Sequence, residues 1–290
     1  MKYLCNDCPR QCGALRTEKE NIGGFCGMPL YPKIARADLH FWEEPCISGE
    51  NGSGTVFFSG CSLRCVYCQN YEISHKNGGI FKTPSDLAEI MRELEEKGAN
   101  NINFVNPTHY IWAIEEALKI HKPNIPLVFN SGGYDNLSVI EKNIFDIYLM
   151  DLKYVTPEIS LKYSGAANYF EVASKAIKAA YKLKGECVIE NGIMKSGLII
   201  RHLVLPMNTR ETLKVIDWVG ENTPNAYFSL MAQYTPCGKA SEFKELNRPI
   251  TEREYNKTLD YICAKQLKNV YIQDRKSANS GYIPKFDLGE

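Results

Sequence analysis

The stretch "GCSLRCVYCQN" (residues 60–70) places Cys61, Cys65 and Cys68 within eight positions in a C-x3-C-x2-C pattern. Such close spacing suits a loop that wraps one compact metal site. A cubane iron–sulfur cluster takes one thiolate per iron, so three thiolates leave one iron with an open coordination position. Catalytic zinc sites likewise keep one position free for substrate. The absent fourth cysteine therefore predicts a ligand-binding metal site; a zinc knuckle or three packed thiols are the alternatives.

A second cysteine set lies near the N-terminus with C-x2-C-x3-C-x13-C spacing: Cys5, Cys8, Cys12 and Cys26. Four thiolates form a complete ligand set, suited to structural zinc or to a fully ligated cluster. Zinc ribbons usually pair two C-x2-C knuckles, and the single cysteine of the second half favours an auxiliary 4Fe-4S cluster over zinc or free thiols. The other cysteines are predicted to be packed side chains: Cys46, Cys187, Cys237 and Cys263.

The composition narrows the cellular setting. The 290 residues include 11 cysteines, and the 34 basic and 34 acidic residues cancel. Zero net charge argues against bulk attraction to nucleic acid or anionic membranes. No apolar run approaches the roughly 20 residues of a membrane helix, and "MKYLCNDCPR" lacks the apolar core of a signal peptide. We therefore expect a cytoplasmic protein without nucleic-acid or membrane partners, in which clustered cysteines indicate metal rather than disulfides.

The elements that must position the cysteines follow an alternating pattern. Short β-branched and aromatic segments predict strands at 55–60, 101–106, 126–131, 146–151, 198–205, 226–234 and 269–274. Helical periodicity predicts helices after Thr83, after Thr108 and over 168–184, 209–221 and 251–268, with a weaker helix within 132–145. The first fifty residues show no sustained periodicity.

Strand–helix alternation predicts an α/β fold with a parallel sheet covered by helices. We expect an incomplete parallel (β/α)6 barrel with a small N-terminal cysteine-rich segment; an open doubly wound sheet is the competing layout. The Gly-rich "SGENGSG" marks a boundary, which divides the chain into a metal-binding segment (1–53), the barrel (54–275) and a C-terminal tail (276–290). In either layout the functional loops lie at the C-terminal strand ends.

The three-cysteine loop directly follows the first barrel strand and carries an aromatic residue, Tyr67, just before its last cysteine. In this context it resembles the radical S-adenosylmethionine (SAM) superfamily. The resemblance implies that the open iron chelates the amino and carboxylate groups of SAM. It further implies that one electron from the reduced 4Fe-4S cluster cleaves SAM to methionine and a 5′-deoxyadenosyl radical, which abstracts a hydrogen atom from the substrate.

Three further segments resemble pyruvate formate-lyase activating enzymes: "CVYCQN" (65–70), "LMDLKY" (149–154) and "LIIRHLVLP" (198–206). This closer resemblance implies that the substrate is a glycine in a partner glycyl radical enzyme. It also implies a flavodoxin- or ferredoxin-type electron donor. The alternatives are a radical enzyme acting on another peptide side chain or a small molecule, and a non-catalytic electron carrier or iron sensor.

The same resemblance implies the cofactor contacts. Asp151 and Lys153 would reach SAM, and Arg201 would point toward its carboxylate. Relatives carry Gly-Gly-Glu after strand 2, where this chain has "NPTH"; Asn106 and Thr108 would then hold the ammonium group, with helix capping the equal alternative for Thr108. The remaining expected contacts are Tyr67, Asn70, Asn130, Ser131 and Gln233.

Side-chain alternation gives two expectations about direction. Asp151 and Lys153, at a strand end, are expected to face opposite sides of the strand, with a surface ion pair as the alternative. Arg201 is expected to point inward, because an arginine in an apolar strand needs an anionic partner, which leaves His202 outside. His75, in a Gly/Asn-rich loop, is expected to face solvent.

Overall fold

A computed structural model describes residues 3–275 and 285–288. Most of the predicted C-terminal tail, 276–290, lies outside the described residues. The short described stretch 285–288 packs on the main sheet, where the Asp287 amide donates to the Ala35 carbonyl at 2.8 Å and the ring of Phe286 meets that of Phe57 at 5.5 Å between centroids.

The N-terminal segment contains regular structure that its sequence pattern did not predict. An antiparallel sheet is formed by β1 (Tyr3–Cys5), β2 (Ala14–Arg16) and β3 (Asn21–Ile22). It is followed by β4 (Lys33–His40) and the one-turn helix α1 (Pro45–Ser48). Strands of two or three residues carry too little alternation for a period-2 pattern to stand out.

The main sheet contains all seven predicted strands, and each of them runs parallel to its neighbour: β5 (Ser53–Phe58), β7 (Ile102–Val105), β8 (Leu127–Ser131), β9 (Ile147–Asp151), β11 (Ile193–Leu203), β12 (Tyr227–Met231) and β13 (Val270–Ile272). Three strands pair antiparallel: β4 beside β5, β6 (Ile80–Phe81) beside β4, and β10 (Val188–Glu190) beside β11. The predicted α/β fold with a mostly parallel sheet is confirmed.

The strand order across the sheet is β13-β12-β11-β9-β8-β7-β5-β4-β6. From β5 to β13 the parallel strands therefore follow one another in chain order, without a reversal. A doubly wound sheet has a reversal point, so this order follows barrel-like winding instead. Across residues 3–275 and 285–288 no pairing joins β13 to β6, and the barrel is therefore not closed.

The helices include α2 (Tyr71–Ser74), α3 (Pro84–Glu96), α4 (Ile111–Ile120), α5 (Leu137–Ile140), α6 (Pro157–Ser164), α7 (Tyr169–Lys184), α8 (Thr209–Asn222) and α9 (Glu252–Lys265). Thr83 and Thr251 form capping boxes at α3 and α9, which explains why both helices begin where their sequences indicate. The segment 132–145 forms only the single turn α5, and α6 was not predicted.

The two faces of the sheet are packed differently. The outer face presents large apolar side chains such as Phe104, Phe129 and Tyr148 to the helices. On the inner face, Val128, Leu149 and Ile199 pack with Cys46 and Ile47 of α1. Cys46 is thus a packed side chain, as predicted, and α1 fills part of the barrel interior.

Two predictions about single residues were wrong. Cys263 is exposed on α9 instead of packed, because it lies on the polar face of that helix. His75 is half-buried rather than solvent-facing, since its ring stacks on Tyr71 at 4.1 Å and contacts Ser74 and the Arg64 carbonyl.

Candidate functional site

A pocket opens at the C-terminal ends of the parallel strands. It is lined by all three cysteines of the 60–70 loop and by nine of the ten predicted cofactor contacts: Tyr67, Asn70, Asn106, Asn130, Ser131, Asp151, Lys153, Arg201 and Gln233. These residues lie in or after the C-terminal ends of six different strands, and they meet because the C-terminal ends of parallel strands share one edge of the sheet.

Each sulfur of the three-cysteine loop has a hydrogen-bond donor nearby. The Leu63 amide donates to Cys61 Sγ at 3.3 Å, and the hydroxyls of Ser164 and Ser74 donate to Cys65 at 3.0 Å and Cys68 at 3.3 Å. Burial raises the pKa of Cys65 and raises that of Cys68 to about 12, so a ligand-free chain holds these two as thiols. Donors aimed at sulfur suit thiolate ligands of a cluster.

Beside the thiols lies a buried ionic network centred on Arg201. Its Nε contacts Asp151 Oδ1 at 2.8 Å, its Nη1 contacts Glu43 Oε2 at 3.0 Å, and its Nη2 donates to Asn130 Oδ1 at 2.7 Å. Burial alone would raise the pKa of Asp151, but Arg201 and Lys153 outweigh it and hold the pKa below its usual value. Opposite charges this close keep one another ionised in the folded protein.

The expectation that Asp151 and Lys153 face opposite sides was wrong. Both line the pocket, and Lys153 Nζ contacts Asp151 Oδ2 at 2.5 Å. Residues two apart in a strand share a face, so the alternation should have placed them together. The side chain of Lys153 is only 18% exposed and that of Asp151 only 13%, so this is a buried ion pair and not a surface one.

Arg201 and His202 take the directions that alternation predicts. Arg201 lines the pocket, whereas His202 lies on the helix side, with its ring nitrogens 2.7 Å from the Leu152 carbonyl and 3.0 Å from Thr212 Oγ1. Burial lowers the pKa of His202 to about 4. His202 is therefore a neutral, hydrogen-bonded core histidine.

Glu43 is a site residue that sequence reasoning missed. It lies between β4 and α1, and its carboxylate accepts hydrogen bonds from Asn103 Nδ2 at 3.1 Å and Asn130 Nδ2 at 3.0 Å besides pairing with Arg201. The predicted need of Arg201 for an anionic partner is thus met within the chain, by Glu43 and Asp151. No local pattern in "FWEEP" signals this, because the contact depends on how α1 enters the barrel.

Thr108 is the one predicted cofactor contact that the pocket lining does not include. Its hydroxyl donates to Asp135, which also accepts from Ser131 Oγ at 2.5 Å. It lies in a 3₁₀ turn that precedes α4, and its side chain caps no helix. A buried carboxylate needs hydrogen-bond donors. Asp135 therefore binds the hydroxyl of Thr108, for which we had predicted either a contact with SAM or a helix cap.

We expect Asp135→Asn to remove a pH dependence of stability. Burial raises the pKa of Asp135 from 3.8 to about 6, so the folded state binds this proton more tightly than the unfolded state does. Its contribution to stability is complete below pH 3.8 and is lost as the pH rises through 6. Between pH 4 and pH 7 the free energy of unfolding of the variant, measured with urea, should gain roughly 2–3 kcal/mol relative to wild type.

Asp86→Asn is the matched control with the opposite sign. The Thr83 capping box lowers the pKa of Asp86, so its contribution to stability is present above pH 3.8 and is lost only as the pH falls further. Relative to wild type, this variant should therefore show no comparable gain between pH 4 and pH 7. Parallel pH profiles for wild type and Asp135→Asn would contradict the prediction.

The N-terminal cysteine set, which we call the head site, is folded around the turn between β1 and β2. The Gly13 amide donates to the Cys5 carbonyl at 3.1 Å and the Gln11 amide to the Cys8 carbonyl at 3.0 Å. The pKa of Cys8 is raised to about 12, mainly by burial and also by the nearby Cys26, Cys5 and Cys12. The four sulfurs are therefore close enough to interact electrostatically.

The side chain of Arg16 is a buried cation beside the head site. The Arg16 side chain is 1% exposed; its Nη1 donates to Cys5 Sγ at 3.4 Å and pairs with Asp7 at 2.7 Å. In the described part of the chain, no group of three or more His, Cys, Asp or Glu side chains, at either cysteine set or elsewhere, is already arranged to hold a metal ion.

The head site is docked directly onto the three-cysteine loop. Arg10, between Cys8 and Cys12, donates to the carbonyls of Ser62, Gly165 and Ser164 at 2.7, 2.6 and 3.0 Å. In the other direction, Arg64 Nη2 donates to the Cys26 carbonyl at 3.3 Å. The two cysteine loops are thus held side by side by charge-assisted hydrogen bonds to backbone.

Comparison with known proteins assigns the family. The Radical SAM superfamily model matches residues 55–219. A protein of Methanocaldococcus jannaschii, "Uncharacterized protein MJ0674", is 31% identical over 279 residues, which cover 92% of this chain and 76% of that protein. The chain belongs to the radical SAM superfamily. This membership implies an enzyme that uses a 4Fe-4S cluster and SAM.

Two solved structures share the fold of this radical SAM protein. SuiB of Streptococcus suis, bound to S-adenosylmethionine, superimposes with a TM-score of 0.54 at 14% identity over 74% of this chain. The match spans about half of SuiB, 48% of its length. Methylornithine synthase (PylB) has a TM-score of 0.50 at 11% identity, over 81% of this chain and 75% of PylB. At these identities the likeness shows the fold alone.

The residues of the pocket fit the two radical SAM cofactors. Besides three hydrogen-bonded sulfurs, the pocket contains Asn70, whose buried Oδ1 has no hydrogen-bond partner among the described residues. A buried polar atom without a partner is costly, and a donor group on a bound ligand would relieve that cost.

None of the described helices is long and apolar enough to span a membrane.

Proposed function

We propose that this radical SAM protein activates a glycyl radical enzyme by abstracting a hydrogen atom from one of its glycines. The observation that carries the proposal is the placement of Asp151, Lys153 and Arg201 beside the three-cysteine loop in one pocket. These are the strand-end residues by which the chain resembles pyruvate formate-lyase activating enzymes. A flavodoxin- or ferredoxin-type protein would supply the electron.

In this proposal Cys61, Cys65 and Cys68 would hold the cluster, and SAM bound to it would supply the radical chemistry for hydrogen abstraction. Lys153 and Arg201 would offer cations to the carboxylate of SAM, and Asp151, which contacts both, would keep them oriented. The polar wall is completed by Tyr67, Asn70, Asn106, Asn130, Ser131 and Gln233. The enclosing side chains orient the substrate and exclude water from the radical.

A second candidate keeps the radical chemistry but changes the target to another peptide side chain or a small molecule. It is favoured by "NPTH" where the activating enzymes carry Gly-Gly-Glu. Asn106 adopts a left-handed backbone with φ of 61°, a conformation that glycine also favours, but its side-chain amide donates to the Gly60 carbonyl, a contact that a glycine could not make.

The deciding experiment measures 5′-deoxyadenosine formed by the anaerobically reconstituted, reduced protein. Either the macromolecular or the small-molecule fraction of a host extract is added. Stimulation by the macromolecular fraction, followed by a glycyl radical signal in electron paramagnetic resonance, is the expected result. Stimulation by the small-molecule fraction alone would overturn activation of a protein substrate and support the second candidate.

We also propose that the head site, Cys5, Cys8, Cys12 and Cys26, holds a second 4Fe-4S cluster, with zinc as the alternative metal. The support is electrostatic: the charges of Cys5, Cys12 and Cys26 act on Cys8, and Arg16, whose Nη1 donates to Cys5 Sγ at 3.4 Å, has an Nε without a hydrogen-bond partner among the described residues. A cation beneath the thiols would stabilise the negative charge of a four-thiolate site.

The head-site proposal predicts metal contents. Elemental analysis of reconstituted protein should find about eight irons per chain for two clusters, or about four irons and one zinc for the alternative. Cys8→Ala should remove only the metal of the head site, because the three-cysteine loop keeps its own ligands. Cys187→Ala, which lies outside both loops, should change neither content. About four irons without zinc, unaffected by Cys8→Ala, would contradict the proposal.

A further inference from the structure

A second pocket, which we call the acidic pocket, adjoins the cofactor pocket on the unclosed side of the barrel. It is lined on one side by Phe41, Trp42, Glu43 and Glu44 and on the other by Tyr271 of β13. Asn70, Asn130, Arg201, Met231 and Gln233 line both pockets. A molecule in the acidic pocket would therefore contact residues that also line the cofactor pocket.

Glu44 is the unexplained residue of this pocket. It is 8% exposed, and its Oε2 finds no hydrogen-bond partner anywhere in the described parts of the chain. Although it stands at the N-cap position of α1, its side chain makes no capping hydrogen bond. A buried carboxylate oxygen without a donor is costly unless a ligand supplies one.

The charges around the two pockets do not balance. Three carboxylates, those of Glu43, Glu44 and Asp151, face two cations, Arg201 and Lys153. Arg201 and Lys153 contact Asp151 and Glu43 at 2.5–3.0 Å, and among the described residues neither forms an ion pair with Glu44. One negative charge remains when all five groups are ionised, and Glu44 is the carboxylate without an ion-pair contact to either cation in the described part of the chain. A cation in the acidic pocket would neutralise it.

The mouth of the acidic pocket carries exposed apolar side chains. Phe41 is 48% exposed, Trp42 60% and Ile272 52%, and all three line the pocket. Aromatic faces beside a carboxylate are a favourable setting for an ammonium or guanidinium group, whose charge they attract and whose aliphatic stem they cover.

We propose that the acidic pocket binds a cationic nitrogen of a peptide substrate, from a lysine or arginine side chain, with Glu44 as the counter-ion. Binding there would hold the reacting carbon beside the residues that line both pockets. The inference rests on the proposed function in that it assumes a peptide substrate, and it adds the chemistry by which this peptide is recognised.

The test uses reconstituted, unreduced protein with SAM present, so that no turnover occurs. Two pairs of short glycine-containing peptides are titrated calorimetrically: one with arginine against its neutral isostere citrulline, one with lysine against acetyl-lysine. We expect the cationic member of at least one pair to bind at least about tenfold more tightly. The pair that shows the preference identifies the side chain.

Two variants assign the effect to Glu44. Glu44→Gln should reduce the preference for the cationic peptide to less than about twofold, whereas Glu50→Gln, on an exposed glutamate outside the pocket, should retain it. Equal affinities within both pairs in the wild type would overturn the proposal, and that comparison needs no variant. A preference that persists in Glu44→Gln would overturn the role of Glu44.

Failure of this inference is distinguishable from failure of the proposed function. If the cationic peptides bind through Glu44 but only small molecules stimulate 5′-deoxyadenosine formation, glycyl radical activation is wrong while the cation site remains. If a protein fraction stimulates the reaction and neither peptide pair discriminates, the activation proposal survives and the cation site does not.

Discussion

Cys65→Ala is expected to lower SAM cleavage by on the order of a thousandfold or more, because a cubane iron that loses its protein ligand leaves the cluster unsupported. Cys65 is the most informative of the three positions. Its sulfur is buried, accepts a hydrogen bond from Ser164 at 3.0 Å and lies near Lys153. Formation of 5′-deoxyadenosine by the reduced protein is the measurement.

Cys263→Ala is the control for this prediction, since Cys263 is exposed on α9 and distant in sequence from both cysteine loops. Iron analysis adds a second readout that does not depend on turnover. Cys65→Ala should lose about four irons per chain while keeping the metal of the head site. Full activity and full iron content in Cys65→Ala would rule out the three-cysteine loop as the cluster site.

Arg201→Leu is expected to destabilise the fold by about 3–5 kcal/mol, because it leaves Glu43 and Asp151 as buried charges without their shared partner. Arg201 is 14% exposed and those carboxylates 9% and 13%, so water cannot replace the guanidinium fully. The free energy of unfolding from urea denaturation checks this expectation. Activity should be lost as well, since the same side chain lines the cofactor pocket.

Arg36→Leu provides the matched control. Its ion pair with Asp38 is 3.5 Å long, and its partners are 31% and 48% exposed, so its loss should cost less than about 1 kcal/mol. The double variant Glu43→Gln/Arg201→Leu should recover part of the stability lost in Arg201→Leu, because one uncompensated charge is removed. Similar destabilisation by Arg201→Leu and Arg36→Leu would show that the network is not a buried one.

The sequence alone determined what depends on short-range pattern. The seven parallel strands were predictable because each is a short β-branched or aromatic run between breakers. Helices α3 and α9 were predictable because Thr83 and Thr251 cap them within four residues. The individual cofactor contacts were implied by the family resemblance, and the pattern of strands predicted only that these residues would meet, since the C-terminal ends of neighbouring parallel strands share one edge of the sheet.

Only the tertiary structure decided the contacts between segments distant in the chain. Glu43 pairs with Arg201 across 158 positions, and Arg10 reaches Gly165 across 155. No periodicity encodes such pairs, because they depend on where α1 enters the barrel and where the head site docks. Thr108 shows the same limit: its neighbours in sequence suggest a helix cap, whereas the buried carboxylate of Asp135, 27 positions away, takes its hydroxyl. Local pattern sets which elements form, and the packing of those elements sets which polar groups must satisfy one another.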